Sequence, residues 1–184
     1  MKRKIAFNSE HASPLAALGG VDSGGQNVYV AQLAKHLATL GYEIDVFTRW
    51  DDKRFPEIIE WSPGVRIIHI KAGPIDFIPK EQLLPYMKEF KNNMKKFISR
   101  EDVSYKLIHA NFWMSGLVAS MLKKELHIPF VITFHALGKV RRIYQGEHDG
   151  FPKERIHIEE AIVKHADRIL AECPQDKEDL IQLY

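Results

Sequence analysis

The side chains of this chain best suited to chemistry gather in four short runs. The first, Gly19-Gly20-Val21-Asp22-Ser23-Gly24-Gly25-Gln26-Asn27, follows a compact apolar segment and opens a helical pattern. Glycines at such a turn let backbone N–H groups approach an anion at the positive end of a helix. Paired glycines also mark ordinary loops, and it is the strand before and the helix after that favour a site for a phosphorylated ligand.

The second run is Ala72-Gly73-Pro74 with Pro79-Lys80-Glu81. Lys80 follows a proline turn at a helix start, an unfavourable place for a cation without an anionic partner. A ligand contact and a solvated surface lysine both fit that position. In the third, His109-Ala110-Asn111-Phe112-Trp113-Met114-Ser115-Gly116, an imidazole, an amide and aromatic rings meet where a strand gives way to a helix. That mixture suits sugar or ring recognition, and it equally suits a satisfied core histidine with Trp113 and Leu117 packed at helical spacing. The fourth, Thr133-Phe134-His135-Ala136-Leu137-Gly138-Lys139-Val140-Arg141-Arg142, puts an imidazole at a strand end and cations after it. Such a loop can clamp phosphate oxygens and hydrogen-bond a hydroxyl, or be plain surface charge. Arg155 and Glu159-Glu160 add a cation and carboxylates on a helix that a solvent-facing position would explain as well.

The elements that must position these runs alternate between strand-like and helix-like segments, the pattern of βαβ units around a parallel sheet. Strands are expected at 4–9, 43–49, 65–70, 105–110, 129–135 and 168–173. Helices are expected at 27–39, 80–99, 113–126, 152–166 and onward from Pro174. Six parallel strands is the Rossmann count, so the fold class is α/β, Rossmann-like and doubly wound. The irregular stretches 50–64, 71–79 and 136–151 mostly follow strand ends, where open α/β sheets keep their ligands. No internal repeat or low-complexity segment breaks this order.

With 184 residues, 45% of them hydrophobic and 27% charged, the chain reads as one globular domain with a substantial core. A net charge of +2 is too mild to imply nucleic acid or an anionic membrane as the main partner, so any basic site is local. The basic start, Met1-Lys2-Arg3-Lys4, lacks the apolar run of a leader, and no stretch approaches a membrane span, which points to the cytoplasm. Cys173 is the single cysteine, so no internal disulfide forms, and it reads as a small core residue rather than a nucleophile.

Taken in order, Asp22-Ser23-Gly24-Gly25-Gln26-x-Val28-Tyr29, Ala72-Gly73-Pro74, Lys80-Glu81, His109-x-Asn111-Phe112-Trp113-x-Ser115-Gly116, Thr133-Phe134-His135-x-Leu137-Gly138 and Arg155-x-x-x-Glu159-Glu160 carry a resemblance. The chain resembles the N-terminal half of a retaining GT-B glycosyltransferase of family 4. That family includes sucrose synthases, sucrose-phosphate synthases and the N-acetylglucosaminyltransferase that starts mycothiol synthesis. The likeness runs from the first strand to the last helix, and six weak motifs in one order make it specific.

The resemblance implies two Rossmann-like domains facing each other across a cleft. Residues 1–184 would be the mainly acceptor-binding one, with a C-terminal donor domain outside this chain. It assigns Gly24, Gly25, Gln26 and Lys139 to the donor, the glycine amides lying near its diphosphate. It assigns Lys80, His109, Asn111, Phe112, Arg155 and Glu159 to the acceptor. His135 is the catalytic candidate, touching the transferred sugar near its reacting carbon. The implied partners are a nucleotide-diphosphate sugar and a sugar or sugar-phosphate acceptor, with no cofactor and no obligatory metal. Transfer retains configuration through an oxocarbenium-like state in which the departing diphosphate helps take the acceptor proton, so positioned donors do most of the stabilising. Alone, this half is expected to be inactive.

Departures from the family pattern matter too. Asn111-Phe112 stands where many relatives carry histidine then tyrosine, and Ala136 where they carry a hydroxyl residue, which leaves the acceptor open. Glu81 and Glu89 match the spacing of the second domain's Glu-x7-Glu motif, but Pro85 lies between them and the match reads as coincidence. Two other classes compete. A noncatalytic sugar- or nucleotide-binding module would keep the binding without the chemistry. An NAD(P)-dependent oxidoreductase would place Arg49 on a 2′-phosphate, but no Gly-x-Gly-x-x-Gly follows the first strand.

Overall fold

A computed structural model describes residues 3–15 and 24–184, the Glu147 side chain excepted. Seven strands form one sheet among these residues: β1 (Lys4–Asn8), β2 (Glu43–Arg49), β3 (Ile58–Ser62), β4 (Val65–Ile70), β5 (Leu107–Asn111), β6 (Phe130–Thr133) and β7 (Arg168–Ile169). Six helices accompany them: α1 (Gly25–Thr39), α2 (Met87–Arg100), α3 (Trp113–Leu126), α4 (Gly138–Gln145), α5 (Arg155–His165) and α6 (Pro174–Leu183).

Strand period and burial explain the layering. Ile5 and Phe7 of β1, Ile44 and Val46 of β2, and Val65 and Ile67 of β4 are buried with Val30 and Ala34 of α1 on one face. The alternate residues Ala6, Phe47, Ile68 and Ile70 join the larger core of the other face, with Phe90 and Met94 of α2 and Val118 and Leu122 of α3. A sheet covered on both faces is what parallel strands with helical crossovers require. Gly116 lets α3 lie close, since a Cβ there would fall 2.5 Å from Ile132 and 2.9 Å from Ile162.

The strand order is β3-β4-β2-β1-β5-β6-β7. All neighbours are parallel except β3 and β4. Without β3, this is the Rossmann arrangement of two half-sheets wound outward from a shared centre. The winding reverses between β1 and β5. In open α/β sheets the crevice beyond the carboxyl ends of the two central strands is where ligands bind.

Four expectations are revised. Strand β3 lies in the stretch 50–64 read as irregular; the turn at Pro63-Gly64, with Gly64 at φ 77°, folds it back on β4 as a hairpin. Helix α4 lies in the stretch 136–151 read as a loop; its Ile143 and Tyr144 are 66% and 83% exposed, so it lacks the full apolar stripe that marks a helix in sequence. The helix expected at 80–99 is split by Pro85 into short 3-10 turns at Lys80–Gln82 and Leu84–Tyr86, followed by α2. Strand β7 stops at Ile169, so Cys173 is exposed and caps α6, its Sγ 3.4 Å from the Asp176 amide, instead of packing in the core.

Candidate functional site

Strand ends around the β1/β5 reversal enclose a hollow of about 430 Å³. Its wall combines His11 beyond β1, Gly24 and Gly25 at the start of α1, Lys80, Phe112 beyond β5, His135 beyond β6, Arg141 of α4, Phe151 and Glu172. Of the candidate site residues, Gly24, Gly25, Gln26, Lys80, Phe112 and His135 therefore meet here, with Asn27, Ala136 and Arg141 from the same runs. The part of the glycine run from Gly19 to Ser23 lies outside the described residues.

The start of α1 is braced by side chains. Asn27 Oδ1 accepts from the Gly24 N–H at 2.9 Å, while its Nδ2 donates to the Ser13 carbonyl at 2.9 Å. Gln26 Nε2 reaches Ser9 Oγ at 3.2 Å and the Asn111 carbonyl at 3.3 Å, tying the helix to the two central strands. No described protein atom lies within 4 Å of where a Cβ would sit on Gly24 or Gly25. Packing among the described residues thus does not require glycine at these positions, whereas close backbone approach by a ligand would. The helix amides and dipole there favour an anion.

Two wall residues have unusual backbones. Phe112 has φ 81° and His135 φ 61°. Positive φ is uncommon for residues with a side chain, and such outliers concentrate at functional sites. The His135 ring is held at both nitrogens, with Nδ1 2.9 Å from Glu172 Oε1 and Nε2 3.1 Å from Asn111 Oδ1. Tyr29 packs edge-on against it at 5.0 Å. Burial, helped by the neighbouring His109 and His11, lowers its pKa to about 4. Burial raises that of Glu172, and Asp176 adds to the rise.

Other residues from the motifs stand behind the hollow. His109 is 3% exposed, with Nε2 2.9 Å from Thr133 Oγ1 and its ring against Phe7 at 4.9 Å. Burial lowers its pKa to about 4 as well. It is a packed core histidine that supports the strand carrying Asn111 and does not line the cavity. Asn111 is fully buried and meets the hollow through His135 on its side chain and Gln26 on its carbonyl.

Arg155 is 1% exposed, its Nε 2.7 Å from Glu159 Oε1 and its Nη2 2.6 Å from the Ala136 carbonyl. Its guanidinium lies 4.5 Å from the Phe151 ring centre and 5.1 Å from that of Phe112, so it backs the aromatic wall. Nη1 has no hydrogen-bond partner among the described residues. Glu159 accepts from the Gly138 N–H at 2.9 Å and from the Tyr184 hydroxyl. A Cβ on Gly138 would fall 2.8 Å from that carboxylate, which is why α4 begins on glycine. Lys139 turns away from the hollow to Glu160 at 2.8 Å and to the Leu183 carbonyl, over the Tyr184 ring. Lys80 lies 3.8 Å from Glu81 on the hollow's edge.

Motif reading missed His11, Phe151 and Glu172 on the wall and the Glu10 carboxylate behind His11. Glu10 is buried, and its carboxylate takes His11 Nδ1 at 2.9 Å and the Ser115 hydroxyl, which sets His11 edge-on to Phe112 at 4.9 Å. Arg141 pairs with Asp149 at 2.5 Å beneath Phe151. Glu172 carried no signal beyond its place after the last strand. The dehydrogenase reading of Arg49 fails: it is 3% exposed, and its guanidinium is taken by the carbonyls of Ala72, Pro74 (2.8 Å) and Asp76. Among the described residues no group of three or more His, Cys, Asp or Glu is placed to hold a metal ion. No described helix is long and apolar enough to cross a membrane.

The sequence profile described as Glycosyltransferase Family 4 matches residues 23–184. D-inositol 3-phosphate glycosyltransferase 2 of Catenulispora acidiphila is 35% identical over 187 residues, covering 100% of this chain and 44% of the relative. The D-inositol 3-phosphate glycosyltransferase of Corynebacterium kroppenstedtii is 37% identical over 182 residues, covering 98% of this chain and 40% of the relative. Among solved structures, sucrose-phosphate synthase from Thermosynechococcus elongatus superposes with a TM-score of 0.92 at 35% identity, covering 99% of this chain and 45% of that one. The chain thus spans less than half the length of these relatives.

Proposed function

The chain belongs to Glycosyltransferase Family 4, and on that premise we propose that it forms the mainly acceptor-binding half of a retaining GT-B glycosyltransferase. A second domain supplies most of the nucleotide-sugar contacts. The observation that carries this reading is the meeting of Gly24, Gly25, Lys80 and His135 around one hollow at the winding reversal of the sheet.

In this reading the donor's diphosphate rests against the glycine backbone at the start of α1, where the Gly25 amide and the helix dipole meet its charge while the Gly24 N–H stays on Asn27. His135, neutral because burial holds its pKa at about 4, contacts the transferred sugar without adding a cation beside the oxocarbenium-like centre. Lys80 and Arg141 meet an anionic group of the acceptor, and Phe112 and Phe151 form the apolar wall on which its ring packs. Arg155 and Glu159 hold that wall in place, while Asn111 and Glu172 bond the His135 ring. Lys139, engaged with Glu160, is left out of the donor site. The relatives' names include an inositol phosphate and a sucrose phosphate. The two cations at the hollow fit a phosphorylated polyol or sugar as the acceptor class. No cofactor or obligatory metal enters this reading.

The test uses the protein at its full natural length. Transfer from uridine, guanosine and adenosine diphosphate sugars to phosphorylated and plain polyols is measured for wild type and His135→Ala. Turnover is expected to fall about 100-fold, the scale of a lost transition-state contact, while donor affinity changes much less. An unchanged rate removes His135 from the chemistry, and tight binding without any transfer identifies a binding module instead.

A further inference from the structure

His135 presents a hydrogen-bonding problem that can be solved from its neighbours. A neutral imidazole has one N–H and one bare nitrogen, and which is which follows from its partners. The partner of Nε2 is Asn111 Oδ1 at 3.1 Å. The orientation of that amide is set independently, because Asn111 Nδ2 lies 3.3 Å from the carbonyls of both Asn8 and His109. A carbonyl only accepts, so the nitrogen end must face them, and the oxygen end must face His135. An amide oxygen also only accepts. Nε2 therefore carries the proton.

With Nε2 protonated, a neutral ring has a bare Nδ1, yet Nδ1 lies 2.9 Å from a Glu172 carboxyl oxygen. Two lone pairs cannot share that distance favourably, and one proton between them resolves it. Resting on the reading that His135 faces the transferred sugar, we propose that Asn111 and Glu172 are positioning residues for His135. Asn111 fixes the ring in its Nε2–H form, and Glu172 shares a single proton with Nδ1, locking the ring against rotation.

Burial supports this arrangement from both sides, since it disfavours a charged imidazole and a charged carboxylate alike, and a shared proton leaves the pair with no net charge. The groups facing the pair are the His109 and His11 imidazoles, the Tyr29 ring and Asp176 beside Glu172, with Lys80 and Arg141 on the same wall.

The test reads the histidine side-chain nitrogens by 15N–1H correlation in the full-length protein, with His135 assigned by loss of its signals in His135→Asn. In wild type near neutral pH, Nε2 should be protonated and Nδ1 should report a shared proton. Raising the pH should remove that proton in one step that shifts Nδ1. Glu172→Gln, at a partly exposed position, should abolish the step while Nε2–H persists. In Asn111→Ser the Nδ1–H tautomer should appear. A wild-type ring with bare Nε2, or a step that survives in Glu172→Gln, overturns the proposal. The spectrum needs no substrate, so it is decided separately from the transfer assay: loss of a role for His135 in turnover would leave the tautomer result intact.

Discussion

Removing the Glu159 carboxylate tests how the wall of the hollow is held. Glu159 is fully buried and accepts from Arg155 Nε, the Gly138 N–H and the Tyr184 hydroxyl. Glu159→Ala leaves those donors unsatisfied and the Arg155 guanidinium, 1% exposed, without its counter-charge. Each orphaned buried donor costs about 1–3 kcal/mol, and stranding one member of a buried ion pair costs about 3–5 kcal/mol in all. For a chain of this length that is a fall in Tm of about 6–20 °C. Arg155→Met should cost less, since Glu159 keeps two donors and the Met side chain still packs on Phe151. The double variant Arg155→Met/Glu159→Leu should recover most of the loss, because an apolar pair of similar volume often matches a buried ion pair. Thermal and urea denaturation of wild type, Arg155→Met, Glu159→Leu and the double variant close the cycle, with Glu159→Ala read beside them. A Glu159→Ala cost under about 1 kcal/mol, or a double variant equal to the sum of the singles, would refute the view that this pair anchors α4 and α5.

Three further outcomes follow from the geometry. Gly25→Ala should leave folding stability within about 0.5 kcal/mol, because no described atom lies within 4 Å of the added methyl, yet weaken nucleotide-sugar binding about tenfold or more; calorimetric titration beside a urea curve checks both. His109, with a folded pKa of about 4 against 6.5 unfolded, binds fewer protons when folded. Stability is therefore full above 6.5 and declines as pH drops toward 4, by up to about 3 kcal/mol from this residue, and His109→Phe should lessen the fall of the urea midpoint across that window, His135 accounting for part of what remains. Asp45, 1% exposed, takes two 2.8 Å bonds from Arg66 and one from Tyr105. Asp45→Ala should cost about 3–5 kcal/mol by denaturation without changing donor affinity, since the cluster lies away from the hollow.

Much of the fold was legible in the order of residues. Short apolar runs at Lys4–Asn8, Glu43–Arg49 and Val65–Ile70, with helical spacing after the first, are local properties that survive without knowledge of the partner strand. Helix α3 was readable from Trp113 and Leu117 at helical spacing, and the family motifs marked Gly24, Gly25, Lys80, Phe112 and His135. Where local pattern was weak, reading failed: β3 is half-polar, α4 exposes Ile143 and Tyr144, and β7 is two residues long, so each owes its form to the sheet edge or layer it joins.

Side-chain direction was decided only by tertiary packing. Lys139 and Arg141 stand two residues apart in one cationic run, yet the turn of α4 aims the first at Glu160 and the second at the hollow. Arg155 reads in sequence as a surface or ligand cation, and burial between α4 and α5 makes it the backing of an aromatic wall. Glu172 and Asn111 are separated by 61 positions and meet only because β5, β6 and β7 are adjacent, which brings both to the nitrogens of one imidazole. Residue types and spacing determined that a Rossmann sheet with an anion-ready helix start would form. Which groups face its crevice, and in what protonation, depended on burial and on contacts between distant strand ends, and no local pattern encodes those.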